Sequence, residues 1–357
     1  MTLILSNKDV EELLTMRECI DALEAAYVEL SAGRGLARTR SDCLTATTRP
    51  DAHYSLKSMD GVIPKFGISA VRINSDIITM PKVGNSTRRV KVPAAPNGRY
   101  VGLVLLFSTE NGEPLAIMPD GVMQRIRVGA TSGLGVEYLA RRDAKSVGLL
   151  GSGWQAGTQL MAACAVRDIQ SIRCFSPRRE RREAFCKEMS AVLNIEVIPV
   201  DQPETAVAGA DIVMCATNSE DAVFFQSWIT PGIHLSSIKK PEVDPPAIMR
   251  ADRVIIHARD NRPIVELSTD LPGAVIAAEG KRWPEAGDID FKFPTLLDLI
   301  AGKLKGRERE EDVTCFLNYL GLGYQFAAAG SVVYRKARER GMGHELPTDW
   351  FTEDVHP

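Results

Sequence analysis

The chain has 357 residues, enough for two domains of ordinary size, and its 45% hydrophobic and 25% charged content is typical of a globular protein. The formal net charge of −3 gives no basic field for nucleic acid, and no apolar run reaches the roughly 20 residues that span a bilayer. The seven cysteines are scattered and the five histidines are not spaced as ligand pairs, which disfavours a disulfide framework and a metal site. We expect a cytoplasmic protein, because scattered cysteines are typical of reduced, mostly buried thiols; the N-terminus also lacks the basic start and long apolar core of a signal peptide.

The first part of the chain changes from a helical to a β pattern. Residues 8–33 carry apolar side chains at helical spacing, and residues 35–110 are rich in β-forming residues. The clearest strands are Val71–Asp76 and Tyr100–Ser108. The segment Lys82–Arg99 between them is basic and rich in proline, glycine and asparagine, which predicts a long loop.

A glycine-rich turn follows the apolar run that begins at Val147. Gly151 permits a tight turn, Gly153 lets the backbone approach a pyrophosphate, and Ala156 keeps the following helix close to the strand. The N-terminus of that helix offers N–H groups and a positive dipole end to phosphates. The predicted cofactor-binding residues of this turn are Gly151, Ser152, Gly153, Trp154, Gln155 and Ala156.

Strand-like runs separated by helical stretches recur after the turn, and a helical pattern over residues 122–140 precedes it. The later runs are Ser171–Phe175, Glu196–Val200, Asp211–Ala216, His234–Ile238 and Arg253–His257. This alternation predicts an α/β fold with a Rossmann-type, doubly wound parallel sheet; a glycine turn in another kind of α/β protein is the alternative. Because ligands bind at the carboxyl ends of parallel strands, we expect Thr217, Asn218 and Ser219 to approach the nicotinamide ribose.

The pattern predicts two domains, one of which is discontinuous. The dinucleotide-binding domain spans residues 143–311. The final stretch, Asp312–Arg340, has the composition of a helix whose small residues permit close packing, and we expect it to rejoin the N-terminal part. The second, α+β domain then comprises residues 1–142 and 312–357.

The end of the second strand of the parallel sheet favours NADP(H) over NAD(H). An acidic residue usually binds the NAD ribose about 20 residues after the glycines. Here Ser176 stands at that position, followed by Arg178 and Arg179. A hydroxyl and guanidinium groups suit a 2′-phosphate, which arginine binds bidentately. The alternative is a solvated basic start to the next helix, which is our interpretation of Arg181 and Arg182.

In combination these segments resemble the ornithine cyclodeaminase/mu-crystallin family over about residues 35–335. The supporting segments, besides the glycine turn, are Leu105–Ala116, Gln124–Ala130, Tyr138–Arg141, Val207–Val213 and Trp228–His234. The resemblance implies a homodimer of two-domain subunits, each with a dinucleotide domain and a substrate-binding/dimerisation domain. It also implies hydride exchange between a nicotinamide and an amino-acid α-carbon, through an imine.

The resemblance further assigns residues to the substrate. Arg127 would bind the α-carboxylate, which a bidentate guanidinium holds well, and Arg40 or Arg38, on one face of an expected strand, would be the second ligand. The family usually has a catalytic lysine where this chain has Ser69. We therefore assign the acid/base role to Lys57 on the adjacent strand, because burial near arginines lowers the pKa of a lysine. The alternatives are a helix-surface arginine and a surface lysine.

A second departure from the family concerns the distal end of the substrate. Ornithine cyclodeaminase has an aspartate that holds the distal amine, and the matching position lies near Pro241. The nearest acid is Glu242, and Lys239 and Lys240 come just before it. This difference disfavours ornithine cyclisation and fits a substrate with a second acidic group or a larger side chain.

Basic residues elsewhere suggest how a charged substrate is attracted. Arg72 interrupts an otherwise apolar strand, and Arg88, Arg89 and Lys91 crowd the expected long loop. Together with Lys239 they would form an anion-attracting mouth, with a solvated loop as the alternative. Of these residues, we expect Arg72 and Lys239 to contribute to substrate binding.

Three functions fit these observations. The first is an NADP(H)-dependent amino-acid dehydrogenase or imine reductase acting on an amino-acid, 2-oxo-acid or imino-acid substrate. The second is a cyclodeaminase, which has no net redox change and needs an anchor for a second amine. The third is a non-catalytic NADPH- and ligand-binding protein of the mu-crystallin kind, which the missing lysine keeps open. Stoichiometric consumption of the cofactor separates the first from the second, and cofactor binding without turnover would support the third.

Overall fold

The computed structural model describes residues 1–49, 51–83, 86–87, 89–259, 263–280, 292–319 and 321–354. The helices α1 to α10 of these ranges are Asn7–Leu13, Met16–Ser31, Gly121–Leu139, Ala156–Val166, Arg179–Leu193, Pro203–Val207, Pro245–Arg250, Gly273–Gly280, Leu296–Ile300 and Tyr324–Arg340. Of the helices in these ranges, none is both long and apolar enough to cross a membrane.

The strands fall into two large sheets and one small pair. Strands β1 to β10 are Thr2–Ile4, Leu36–Ala37, Ser41–Ala46, Ala52–Ile63, Ile68–Thr79, Lys82–Val83, Ser86–Thr87, Val90–Val92, Val101–Ser108 and Pro114–Pro119. Strands β11 to β19 are Ser146–Leu150, Ser171–Phe175, Val197–Pro199, Ile212–Cys215, His234–Ser237, Arg253–Ile256, Ile264–Leu267, Thr314–Leu317 and His344–Leu346.

The larger sheet is built around the long antiparallel hairpin of β4 and β5. Its main order is β17-β3-β4-β5-β9-β10-β1-β19, with β2 beside β4 and β8 beside β5. Side chains alternate strictly along β4: His53, Ser55 and Lys57 are buried on one face, and the residues between them are more exposed on the other. At the far end of the hairpin, Ile63 and Ile68 join the apolar core formed with α2, α3 and α10. This arrangement leaves a polar stretch on the buried face of the sheet.

The smaller sheet is parallel throughout, in the order β13-β12-β11-β14-β15-β18-β16. Each of the five strand-like runs named from the sequence forms a strand whose ends lie within one residue of the expected ones. Such strands are easily recognised because both faces are buried, which requires short apolar runs. The predicted α/β fold with a Rossmann-type sheet is confirmed.

Helix α3 connects the two sheets and fixes the position of the residues on it. Its backbone touches α4, because a Cβ atom on Gly129 would lie 2.5 Å from the carbonyl oxygen of Thr158. Arg167, which follows α4, caps the C-terminal end of α3. The carbonyls that accept hydrogen bonds from its guanidinium are those of Val136, Glu137, Ala140, Arg141 and Val166. The close contact with α4 and the capping by Arg167 therefore hold α3 firmly against the parallel sheet.

The helix expected over Asp312–Arg340 is wrong in its first part. Thr314–Leu317 is strand β18, which lies between β15 and β16 in the parallel sheet, and helix α10 begins only at Tyr324. A short, fully buried strand has no alternation, so its apolar run cannot be distinguished from a helical one by periodicity. The small residues around it strengthened the mistaken interpretation.

Two strands lie on unexpected sides of the proposed domain division. Strand β18 follows residue 311 yet belongs to the parallel sheet, and β17 precedes it yet pairs with β3 in the larger sheet. The division at residues 143 and 311 stays a prediction, and the chain crosses between the sheets more often than the division assumed.

Two other expectations need adjustment. The segment Lys82–Arg99 is not all loop, since it contains the short strands β6, β7 and β8. The helical region 8–33 is two helices, because Thr15 caps α2 with its side chain and interrupts the run.

Candidate active site

The glycine turn after β11 has the geometry that a phosphate-binding turn requires. Gly151 has a φ of +117°, and a Cβ atom there would lie 2.2 Å from the carbonyl oxygen of Ala216. A Cβ atom on Gly153 would meet nothing within 4 Å, so its backbone is open to a ligand. Gln155, at the start of α4, makes no side-chain cap, which leaves the first N–H groups of the helix to a phosphate. The residues therefore fit a dinucleotide's pyrophosphate.

The side chains of this turn face the neighbouring helix α3. The guanidinium carbon of Arg125 lies 4.5 Å from the ring centroid of Trp154, which is 63% exposed. The amide of Gln155 donates a hydrogen bond of 3.0 Å to Gln124. Ser152 is only partly buried. The turn is thus anchored to α3 on one side and open on the other.

The residues that we expect to distinguish the ribose of NADP(H) from that of NAD(H) lie at the end of β12. Ser176 follows the strand directly, and Arg178 is exposed at the start of α5. Arg179 is also exposed and forms an ion pair of 2.7 Å with Glu183. Arg182 is not a solvated helix residue as expected: it is 4% exposed and donates a 2.8 Å hydrogen bond to the carbonyl of Ser176. Arg182 therefore supports the backbone at the position where the ribose would bind.

The loop after β14 is held by a buried carboxylate. Thr217, Asn218 and Ser219 follow this strand at its carboxyl end, where we expect the nicotinamide ribose. The backbone N–H of Thr217 donates a hydrogen bond to Glu242. The other donors to Glu242 are the hydroxyl of Ser237 and the N–H groups of Ile238 and Lys239, at 2.9, 3.1 and 3.1 Å. Burial raises the pKa of the Glu242 carboxyl above its usual value.

Lys239 also serves this loop rather than an open mouth. Its Nζ donates hydrogen bonds of 2.6 Å to the carbonyl of Ser219 and 2.8 Å to the carboxylate of Glu220. With Glu242 occupied by four donors, both residues after β15 that we considered for the substrate bind the protein itself. Their common effect is to fix the loops at the carboxyl ends of β14 and β15.

Arg127 on α3 is a buried cation with an unusual environment. It is 8% exposed, donates a 2.8 Å hydrogen bond from Nη1 to the amide oxygen of Gln325, and has its guanidinium carbon 5.2 Å from the ring centroid of Phe326. Its Nε is buried with no hydrogen-bond partner. Among the residues that the structure describes, no carboxylate forms an ion pair with it. Burial, followed by the nearby charge of Arg72, lowers the pKa of Arg127 to about 10.

Arg72 shares the same aromatic ring and is bound to Asp120. Its guanidinium carbon lies 5.5 Å from the ring centroid of Phe326, and its Nε and Nη2 are each 2.7 Å from Asp120 Oδ2. Asn74, on the same face of β5, donates a 3.0 Å hydrogen bond to that carboxylate oxygen. Asp120 thus neutralises Arg72, and the neighbouring Arg127 leaves one positive charge in excess at this place.

The two other candidate carboxylate ligands occupy the link between β2 and β3, so the expectation that they share a strand is wrong. Arg40 makes a bidentate pair with Asp42, with hydrogen bonds of 2.6 and 2.8 Å. The side chain of Arg38 is 72% exposed, and its Nη1 is 3.7 Å from Asp60. The guanidinium of Arg40 thus binds a carboxylate of the protein itself, that of Asp42.

Lys57 lies in the middle of the polar face of the larger sheet. The strand register places it between Asp42 on β3 and Asn74 on β5. It is 9% exposed, and its Nζ is 4.0 Å from Asp76 Oδ2. Ser69 is an odd number of residues away from Asn74 along β5, so it belongs to the face opposite Lys57. Its cross-strand neighbours are Val62 and Phe107.

The basic residues expected to form a mouth are paired with acids. Lys91 on β8 is 2.9 Å from Asp76 Oδ2, and Nε of Arg89 is 2.7 Å from Oε1 of Glu279. Arg88 lies outside the described residues. The cations thus bind carboxylates at the sheet instead of forming a field of one sign.

Sequence reasoning missed the acidic and neutral partners on this face. These residues are Asp42, Asp76, Asp120, Asn74, Ser55 and His53. The available signal for His53, Ser55, Asn74 and Asp76 was the alternation itself: polar residues recur at every second position of two long strands, which places them on one face. We used that signal for none of them, because polar positions in strands usually face solvent.

The phosphate turn at the carboxyl end of a parallel sheet places this chain among the dinucleotide-binding α/β proteins. The model of the ornithine cyclodeaminase/mu-crystallin family matches residues 1–341. A Delta(1)-pyrroline-2-carboxylate reductase of Bacillus cereus is 27% identical over 349 residues, which are 96% of this chain and 99% of the relative. The chain therefore belongs to the ornithine cyclodeaminase/mu-crystallin family.

Solved structures agree with this assignment. The Delta(1)-pyrroline-2-carboxylate reductase of Thermococcus litoralis, in complex with NADH and L-proline, has a TM-score of 0.75 at 26% identity, with 97% of this chain and 100% of that chain covered. An archaeal alanine dehydrogenase dimer with bound NAD has a TM-score of 0.75 at 25% identity, covering 97% and 99%. The relatives are thus similar along their whole length.

Proposed function

We propose that the protein is an oxidoreductase that uses a nicotinamide dinucleotide to transfer a hydride at the α-carbon of an amino or imino acid, as an amino-acid dehydrogenase or an imine or ketimine reductase. The observation that carries the proposal is the excess positive charge of Arg127 and Arg72 around the single carboxylate of Asp120. A buried cation is costly without an anion, and a substrate carboxylate supplies one. The relatives named for pyrroline-2-carboxylate and alanine act on such acids.

In this proposal Arg127 is the principal carboxylate ligand, and Arg72 replaces Arg40 as the second. Arg72 contacts the same phenylalanine ring as Arg127 and its side chain is 11% exposed, whereas the side chain of Arg40 is 34% exposed. A bidentate guanidinium fixes both the position and the plane of a carboxylate. The α-carbon of the substrate is thereby held at a defined distance from the polar face of β4.

Lys57 is our candidate for proton transfer to or from the substrate nitrogen. It stands on the face that also carries Arg72, and the carboxylate of Asp76 lies 4.0 Å from its Nζ. A bound nicotinamide dinucleotide supplies or accepts the hydride. The loop from Thr217 to Ser219, fixed by Glu242, would determine how close the nicotinamide comes to the substrate.

We further propose that NADP(H) is preferred over NAD(H). Ser176 and Arg178 lie at the end of β12, and Arg182 holds the carbonyl of Ser176 in place. No acidic residue occurs at this position to bind a ribose 2′-hydroxyl. Arg179 contributes less to this preference, because it is paired with Glu183.

A homodimer is the expected assembly. The face of the larger sheet opposite Lys57 carries exposed apolar side chains, including Leu56, Val101 and Leu103, which are 37%, 42% and 38% exposed. An apolar sheet face without cover is typical of a subunit interface. Light scattering of the purified protein should give twice the subunit mass, and Leu103→Glu should shift it towards the monomer.

The experiment that tests the function is the oxidation of NADPH, followed at 340 nm, with a panel of 2-oxo acids plus ammonia or methylamine and a panel of cyclic imino acids. NADH is run alongside. Turnover with one acid establishes the reaction class, and a slower rate with NADH supports the cofactor preference. Lys57→Met serves as the matched variant, since it keeps the length of the side chain and removes the proton.

The other two functions have distinct outcomes in the same experiment. Conversion of ornithine to proline without net consumption of cofactor would establish a cyclodeaminase. Tight binding of NADPH with no turnover on either panel would establish a ligand-binding protein. Either outcome contradicts the proposal.

A further inference from the structure

The buried face of β4 and β5 carries polar atoms that the proposed chemistry does not use. Both ring nitrogens of His53 and Oγ of Ser55 are buried without a hydrogen-bond partner, and Oδ2 of Asp76 beside them has an ion-pair contact of 2.9 Å with Lys91 but no hydrogen bond of good geometry. His53 and Ser55 are fully buried, and Asp76 is 4% exposed. Buried polar groups in native proteins are almost always hydrogen-bonded, so a group of them on adjacent strands needs an explanation. A ligand that reaches them provides one.

The strand register shows where this cluster lies relative to the proposed carboxylate site. Arg72 is opposite Met59, Asn74 is opposite Lys57, and Asp76 is opposite Ser55. Two residues advance a strand by about 7 Å. The guanidinium end, the Lys57 row and the Ser55 row therefore follow each other at steps of about 7 Å along one face.

This order matches the parts of an extended amino acid. If the carboxylate is held by Arg127 and Arg72 and the reacting carbon lies beside Lys57, the side chain runs along the sheet towards Ser55 and Asp76. A side chain as long as that of glutamine spans the distance of about 7 Å from the Lys57 row to the Ser55 row. The placement of the reacting end rests on the proposed function.

Apart from Lys57, which the proposed function assigns to the substrate nitrogen, the cations and carboxylates around the cluster are matched one to one. Asp76 has Lys91 at 2.9 Å and Lys57 at 4.0 Å, and Glu279 has Arg89 at 2.7 Å. A substrate ammonium would be repelled by the two lysines. A substrate carboxylate would meet Asp76, and beyond it Glu279, which is 3.7 Å from His53. A neutral group avoids both penalties.

A neutral group that both donates and accepts also satisfies the unpartnered atoms. Oδ2 of Asp76 can only accept, whereas the hydroxyl of Ser55 does either, and His53 has one donor and one acceptor when neutral. We infer that the His53–Ser55–Asp76 cluster binds the neutral polar end of the substrate's side chain, a carboxamide or a hydroxyl, and so selects a substrate longer than alanine or proline.

The test is equilibrium binding by isothermal titration calorimetry to the full-length protein saturated with NADPH, and separately with NADH, because the reduced cofactor cannot take a hydride from the amino acid. The probes are L-glutamine, L-norleucine, L-glutamate, L-ornithine and L-proline. L-norleucine has an apolar side chain of similar length, and L-proline carries the carboxylate alone. We expect L-glutamine to bind at least tenfold more tightly than the other four.

Two variants identify the residues responsible. Asp76→Asn and Ser55→Ala should each reduce the advantage of L-glutamine over L-norleucine to threefold or less, while the affinity for L-norleucine stays the same. Ser75→Ala is the matched control, because Ser75 lies on the opposite face of β5, 3.1 Å from the hydroxyl of Tyr54. Circular dichroism checks folding, and Ser55→Ala alone decides the matter if the Asp76 variant does not fold.

The outcomes separate this inference from the proposed function. Binding of L-proline and L-norleucine as tight as that of L-glutamine overturns the side-chain subsite and leaves the carboxylate site standing. A preference for L-glutamate or L-ornithine overturns the neutral character of the group. Failure of all five to bind with either cofactor overturns the proposed function itself.

Discussion

The two sheets of this protein treat buried charge in opposite ways. Around the parallel sheet, the guanidinium of Arg167 donates to five backbone carbonyls, and Glu242 accepts from four donors. Beside the larger sheet, the guanidinium of Arg127 on α3 donates to Gln325, and among the described residues its Nε has no hydrogen-bond partner. Buried charge that the chain satisfies by itself holds loops and helix ends, whereas buried charge that it leaves unsatisfied is available to a ligand.

Replacing arginine by methionine should reduce the activity when it is made at Arg127 and the stability when it is made at Arg167. Arg127→Met keeps most of the side-chain volume and removes the carboxylate ligand, so it should cost about 3–5 kcal/mol of transition-state stabilisation, or roughly 10²–10⁴-fold in kcat/KM. Its free energy of unfolding should change by less than about 1 kcal/mol, because the charge removed is not neutralised in the fold. Steady-state kinetics and urea unfolding measure both quantities. Near-normal kcat/KM would show that the carboxylate binds elsewhere.

Arg167→Met should give the reverse pattern. The substitution strands several buried carbonyls at the end of α3 and should lower the free energy of unfolding by about 2–4 kcal/mol. In the fraction that remains folded, kcat/KM should change less than about threefold, since Arg167 contacts no residue of the proposed site. A large loss of kcat/KM without loss of stability would mean that the two regions are coupled through α3.

The cofactor preference tests the parallel sheet at a second point. Replacing Ser176 by Asp and Arg178 by Ala exchanges a phosphate ligand for a hydroxyl acceptor, and it should shift the ratio of kcat/KM values for NADPH and NADH by about ten- to a hundredfold towards NADH. Arg181→Ala, on the adjacent helix surface, is the control and should leave the ratio unchanged. An unchanged ratio in the double variant would place the 2′-phosphate ligand at other residues.

His234 provides the smallest expected effect and probes a buried group with no ligand role. Burial, and after it the charge of Arg307, lowers the pKa of His234 from 6.5 to about 3. The unfolded chain therefore binds a proton that the folded chain does not, so its contribution to stability is complete above pH 6.5 and is lost as the pH falls towards 3. Between pH 7.5 and 5.5 the native protein should lose about 1 kcal/mol of stability more than His234→Gln. Equal losses, measured by urea unfolding at each pH, would remove His234 from the pH dependence.

The parallel sheet could be predicted from the sequence more completely than the larger one. Its strands are short apolar runs between helices, and each expected run became a strand. Thr314–Leu317 was missed because a buried strand beside small residues has no periodicity of its own. The short strands within Lys82–Arg99 were missed because glycine, proline and asparagine dominate the local composition. Strand β8 forms by pairing with β5, and the local sequence does not show this contact.

The cations of the site could be predicted from the sequence, whereas its carboxylates could not. Arg127 and Arg72 stand out because an arginine among apolar residues is unusual; Arg127 is buried, and the side chain of Arg72 is 11% exposed. Lys239 stands out equally, yet it binds the loop at Ser219, and sequence spacing carries no information about that contact. Asp76 resembles an ordinary strand residue until the register shows that it shares a face with Lys57.

The parallel pairing of β17 with β3 has a consequence for the order of synthesis. Strand β3, which carries Asp42, leaves the ribosome long before Ile264–Leu267, the strand that completes its edge. At the usual rate of translation, this interval lasts roughly 10–45 s. During that time the nascent chain exposes an open β edge, a template for pairing with other chains. Truncated products that end before Ile264 keep the edge of β3 unpaired, so they should aggregate more readily than the complete chain, whose edge strand is the short β17.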